Sequence, residues 1–226
     1  MTTVSHRLIL AVLGAAVIPL LSLAFARIFL QIDIASMTRD VNAIAGVHPL
    51  SGILSSLGIL LWWTSVSVYL FTAYLLRSIQ STSGVGFLVY SGLLSTYLGL
   101  DDLFQVHEHL APGYLKVPEL VVYALLGSAT TCYLWRYRRL LRQPDAVLLL
   151  FALAFLFISV AVDAVWKLWM WHPKDWKFLF EDGAKWLGIC YWTAFCVVRC
   201  SRELGSMLPM ASSKPPPSEA GLASQR

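Results

Sequence analysis

The stretch AVLLLFALAFLFISVAVDAVW, residues Ala146–Trp166, decides the fold. Its 21 residues carry a single charge, Asp163, near the C-terminal end. At about 1.5 Å per residue such a helix reaches about 30 Å, the thickness of a hydrocarbon core. Lipid offers the backbone no hydrogen-bond partners, so a run of this kind is a helix with its amides bonded internally.

Five further apolar runs lie to either side of it. The expected architecture is an all-α, polytopic membrane helix bundle of about six transmembrane helices within residues 1–204. The spans fall at about 8–30, 50–76, 85–107, 118–136, 146–167 and 178–199. The composition agrees. Of 226 residues, 58% are hydrophobic and 13% charged, against about 25% charged in an ordinary soluble domain. That balance excludes a disordered chain and argues against a soluble enzyme. The net charge of +4 is too small to indicate a nucleic-acid partner, so membrane lipid is the expected environment and partner. Residues 205–226, with Pro215-Pro216-Pro217 among Ser, Ala and Gly, read as a disordered tail. The first run also has a signal-peptide reading, because Ala24-Phe25-Ala26 fits a small-residue cleavage pattern. The run continues through Ile28-Phe29-Leu30, which favours a retained span.

Basic residues orient the spans. With six of them, one side holds Arg7, Arg77, Arg136, Arg138, Arg139, Arg142, Arg199, Arg202, Lys214 and Arg226. The other holds Arg27, Arg39, Lys116, Lys167, Lys174 and Lys177. The dense Arg136–Arg142 loop places both termini in the cytoplasm of a cell-membrane protein. Contact of that loop with anionic lipid is the alternative use of the same charges. Trp166, Trp169, Trp171 and Trp176 flank the fifth loop, where amphipathic rings favour the interface. Cys132, Cys190, Cys196 and Cys200 lack a zinc spacing and read as small apolar packing residues.

The chemistry lies in the acids. Segment three ends in Asp101-Asp102-Leu103-Phe104-Gln105-Val106-His107-Glu108-His109, segment five carries Asp163, and segment six opens on Glu181-Asp182-Gly183-Ala184-Lys185. Glu119 and His48 begin segments four and two; a helix cap is the plain reading of His48. Under the derived topology all of these fall in the outer half. On a continuous helix Asp102 and His109 share a face, with Asp101, Gln105 and Glu108 as the adjacent stripe. Glu181 and Asp182 are spaced to pair with Lys185, and Asp163 with Lys167. Charges inside a span cost about 2.5–3.5 kcal/mol each at its centre, so they require partners. Six acids (Asp101, Asp102, Glu108, Asp163, Glu181 and Asp182) face two or three bases, so several must be hydrated, protonated or bound to a cation.

Three functions compete for this site. In the first, Asp101, Asp102, His107, Glu108 and Asp182 hold a divalent metal (zinc, manganese or iron), as carboxylate and imidazole ligands allow. Asp163, Glu181 and Lys185 then serve catalysis in a metal-assisted hydrolase or transferase acting on lipid. In the second, the acids bind and release protons or cations in a transport or sensing protein. In the third, the ion network assembles a non-catalytic accessory protein.

The blocks Asp101-Asp102-Leu103-Phe104-x-x-His107-Glu108 and Glu181-Asp182-Gly183-x-Lys185-x-Leu187-Gly188 resemble stretches of uncharacterised multi-pass membrane proteins of bacteria. That resemblance implies a membrane bundle and no named activity. A looser similarity is to alkaline ceramidase-type membrane hydrolases, which implies a zinc site of Ser, Asp and His ligands. The chain departs from that group in lacking an HxxxH pair in its last helix.

Overall fold

A computed structural model describes residues 6–79, 84–139, 142–169 and 174–206. Every regular element among them is helical, as expected of an all-α chain. The chain divides into two compact units, residues 1–53 and 54–226.

The first unit holds α1 (His6–Phe29) and two short helices, α2 (Ile34–Thr38) and α3 (Val41–Ala45). Asp40 caps α3 by accepting from the Ala43 amide at 3.1 Å, and Gly46 ends it in the left-handed conformation, φ 65°. His48 Nδ1 accepts from the Leu50 amide at 3.2 Å, a turn contact ahead of α4, which begins at Ile53, and not the helix cap expected of it.

The second unit contains α4 (Ile53–Ser78, whose first residue closes the preceding unit), α5 (Val85–Phe104), a π-helical segment (Val106–Tyr114), α6 (Glu119–Arg136), α7 (Ala146–Trp169) and α8 (Lys174–Gly205). By length and apolar composition two helices suffice to cross a membrane, Ile53–Ser78 and Ala146–Trp166. Ala16–Phe29 is a shorter apolar helix. Pro118 stands at the N-cap of α6, one residue before the helix. Among the described residues a helix overlaps each of the six predicted runs, but segment three stops at Phe104 and α8 extends beyond 178–199 at both ends. The Lys167 and Trp169 side chains, residues 170–173, the Trp176 side chain and the tail from 207 lie outside what is described.

α7 and α8 make the most extensive helix pair, and Gly188 permits it. A Cβ there would stand 2.7 Å from Leu156 Cγ and 3.0 Å from the Leu156 backbone nitrogen. The interior combines large rings with small polar groups. Trp62 and Trp192 meet edge to face at 5.7 Å. The Trp192 indole donates to Ser95 Oγ at 2.9 Å, Ser65 Oγ donates to Thr193 Oγ1 at 3.1 Å, and the Ser91 and Tyr133 hydroxyls share a bond of 3.0 Å. These rungs tie α4, α5, α6 and α8 together. Cys196 and Cys200 are buried among them as packing residues, while Cys132 is exposed. The outer surface is the apolar one: Leu120 is 77% exposed and Phe157 72%, while Ser65, Ser91 and Ser95 are fully buried.

Candidate functional site

The predicted site is built on a break in a helix. α5 ends at Phe104, and Gln105 adopts the left-handed conformation, φ 49° and ψ 49°. A non-glycine residue pays about 1–2 kcal/mol to stand there. The turn redirects the chain, and the Asp101 carboxylate receives both the backbone and the ring of His107. Its Oδ1 accepts from the His107 amide at 3.0 Å, and its Oδ2 lies 2.6 Å from His107 Nδ1. The following segment is held by wide turns such as Leu110 N–H to the Gln105 carbonyl at 3.1 Å. Pro112, which has no amide hydrogen, sits inside it.

The break changes which residues meet. Asp102 and His109 do not share a continuous helical face, and the Asp101, Gln105, Glu108 stripe is interrupted at Gln105. Asp101 and Glu108 instead flank one imidazole, with His107 Nε2 at 3.3 Å from Glu108 Oε1. The Tyr123 ring of α6 lies 5.1 Å from the His107 ring. Burial pulls the imidazole's proton affinity down, but its hydrogen bonds to Asp101 and Glu108 outweigh that and hold the pKa at about 9. The same contact with His107 holds the Glu108 carboxyl below its ordinary range, against the effect of burial. His109 is 70% exposed and reaches Glu108 only at 3.8 Å.

The lysines also pair differently from expectation. Lys185 is not closed on Glu181 and Asp182. Its Nζ lies 2.6 Å from Asp102 Oδ1, and Asp102 Oδ2 accepts from the Trp62 indole at 2.8 Å. One carboxylate therefore joins α4, α5 and α8. Lys177, expected as a loop charge, reaches Asp163 Oδ1 at 2.9 Å and Glu181 Oε2 at 3.3 Å, so it joins α7 to α8. Asp182 is exposed and stands outside these pairs. Sequence spacing favours contacts along one helix, whereas the bundle offers Lys185 a better-buried partner on another: the Asp102 side chain is 7% exposed.

The predicted ligand set Asp101, Asp102, His107, Glu108 and Asp182 is not assembled. Among the described residues no three His, Cys, Asp or Glu side chains form a group able to hold a metal. The physical reason is the pairing itself, since lysine and indole donors occupy Asp102 and an imidazole occupies Asp101. Asp163, Glu181 and Lys185, expected to act together, are divided between the Lys177 and Asp102 contacts.

A second network was not foreseen. Asp145, just before α7, accepts from Arg202 Nη1 at 2.5 Å and lies 3.5 Å from Arg199 Nη1. Arg199 also donates to Glu203 Oε1 at 2.5 Å and to the Gln143 amide oxygen. Its guanidinium lies over the Phe87 ring, 5.5 Å from the centroid. Arg199 is 4% exposed and Asp145 5%. Read along the chain, Arg199 and Arg202 were orienting charges. The i,i+4 spacing of Arg199 and Glu203 was the available sign of another role.

No match is found among curated proteins or among solved structures. A family model described as Domain of unknown function (DUF8692) matches residues 8–199. The chain, with its helix break at Gln105 and its two polar networks, is a member of that family.

Proposed function

We propose that the chain is a six-span protein of the cell membrane, both termini cytoplasmic, acting as a non-catalytic, proton-responsive accessory protein. Its third span runs 85–104, so His107 and Glu108 stand beyond the span. The membrane reading is supported by an inverted surface, with exposed Leu120, Phe157 and Trp135 around buried serines. The accessory reading rests on one observation. Asp101, Asp102, Glu108, Asp163 and Glu181 each lie within 4 Å of a lysine or histidine nitrogen. Paired charges of this kind fix how helices meet, and His107 makes one of the ties dependent on protonation.

The metal-assisted hydrolase reading, with the alkaline ceramidase likeness and its zinc, draws no support from the geometry. Two clefts, of about 680 and 670 Å³, lie toward the C-terminal end of α6, away from Asp101 and His107. The bacterial membrane-protein resemblance is compatible with the accessory role. Metal analysis of the full chain in mild detergent, with manganese and zinc supplied, tests the choice. Wild type without a stoichiometric metal is the expected result. A bound metal lost in Asp102→Ala and His107→Ala would overturn the accessory reading in favour of the hydrolase.

A further inference from the structure

At the other end of α6 from the His107 contact lie three arginines with no acid beside them. Arg136, Arg138 and Arg139 line the cleft of about 680 Å³, together with Gly84, Trp135 and Tyr137. Among the described residues no carboxylate comes within ion-pair distance of these three, in contrast to Arg199 and Arg202. Two of them are held by ring faces. Arg136 lies 5.3 Å from the Tyr137 centroid and Arg138 5.7 Å from the Trp135 centroid. The Tyr137 ring is in turn fixed edge to face against Phe87 at 5.2 Å. The Arg136 guanidinium is thus set against a fixed ring, and among the described residues none of the three arginines has a carboxylate counterion.

The cleft does not end at the arginines. Trp135 is also a wall of the second cleft, about 670 Å³, which runs along one face of α6 over Ala124, Gly127, Ser128, Thr131 and Cys132. These recur at the three- and four-residue spacing of a single helical face. No large side chain fills that groove. A Cβ built on Gly127 meets nothing within 4 Å. A mainly apolar groove therefore leads into a basic cleft through one shared indole.

We infer that this surface binds a phospholipid with an anionic phosphate headgroup, the headgroup at Arg136, Arg138 and Arg139 and an acyl chain along the Ala124–Trp135 groove. The inference rests on the membrane reading above, under which the cleft faces the cytoplasmic leaflet, where anionic lipid is concentrated. A free phosphate would be satisfied by the arginines alone; the groove is what selects a lipid.

The test uses the full chain in mild detergent, titrated with phosphatidylglycerol or phosphatidylcholine of the same acyl chains and read by native mass spectrometry. Phosphatidylglycerol should be retained preferentially. Each Arg→Gln change should weaken retention about fivefold, and the triple variant on the order of a hundredfold. Gly127→Leu, whose Cβ would meet nothing within 4 Å, should weaken it as well while glycerol phosphate remains a poor competitor. Equal retention of phosphatidylcholine, or displacement by glycerol phosphate at matching concentration, would overturn the inference. Carbonate washing of membranes separates this from the reading beneath it. A chain released without detergent defeats the membrane assignment itself, whereas a chain that stays and shows no lipid preference defeats the lipid site alone.

Discussion

The two ends of α8 hold charge in different ways. Lys185 and Lys177, near its start, serve carboxylates from α5 and α7 through single ammonium contacts, and the adjoining Asp101–His107–Glu108 group contains an imidazole. Arg199 and Arg202, near its end, share Asp145 through planar guanidinium groups that offer several donors each. The Arg199 side chain is 5% exposed, the Lys185 side chain 32%. One end is a guanidinium clamp, and the other adjoins a tie that loosens as the His107 imidazole loses its proton.

The comparison is broken most severely at the clamp. Arg199→Met removes the buried guanidinium that joins Asp145 and Glu203, leaves Asp145 to Arg202 alone and takes from Glu203 its close partner; it should cost about 3–5 kcal/mol, read as a lowered melting temperature in detergent. Adding Glu203→Gln should recover part of the loss; no recovery would mean that Arg199 acts mainly by packing on Phe87.

Lys185→Met should cost less, about 2 kcal/mol, because Asp102 keeps the Trp62 indole and the site is less enclosed. Indole fluorescence should report the change, since the carboxylate at Trp62 loses its counterion. A loss as large as that of Arg199→Met would erase the distinction between the two ends.

Protonation sharpens the contrast. The folded pKa of His107, about 9, stands above its ordinary 6.5, so the protonated form is favoured by folding. Its contribution is fully present below pH about 6.5 and disappears as pH rises through about 9. Glu108 has the opposite sign: its lowered pKa adds stability above the ordinary carboxylate range, lost as pH falls. Melting temperature should therefore decline between pH 6.5 and 9, and His107→Gln should flatten that decline. Arg199→Met should leave its slope unchanged.

The smallest effect concerns the turn. Gln105→Gly relieves the left-handed strain and should gain at most about 1 kcal/mol. The pH slope should persist in that variant. A slope that vanished would show that glutamine itself, rather than the turn, orients His107.

The helices and the residues of the first network were legible because hydropathy and rare charge are local signals. Ala146–Trp166 needed no partner to be read, and Asp101, Asp102 and His107 stood out against apolar neighbours. The pairings were not legible, because they depend on the register between helices. Nothing near Lys185 in the chain points to Asp102, and the i,i+4 rule pointed to Glu181 instead. The stop at Phe104 was hidden as well, since Gln105 carries none of the glycine that usually announces a left-handed residue. The Arg199 clamp was obscured by a sound rule applied too widely: basic residues at a span's end orient it, yet Arg199 is also buried against an acid.

The 32 residues of α8 extend about 48 Å, and Lys185 and Arg199 stand 14 positions apart, about 21 Å along its axis. A hydrocarbon slab is about 30 Å thick. The outer ties, Lys177 and Arg202, stand 25 positions apart, about 38 Å, so under the proposed membrane reading the two sets of ties bracket a slab of that depth. If α8 crosses a bilayer as proposed, thickness mismatch loads the ties at its ends while pH acts on the adjoining Asp101–His107–Glu108 group, so the two act on neighbouring contacts.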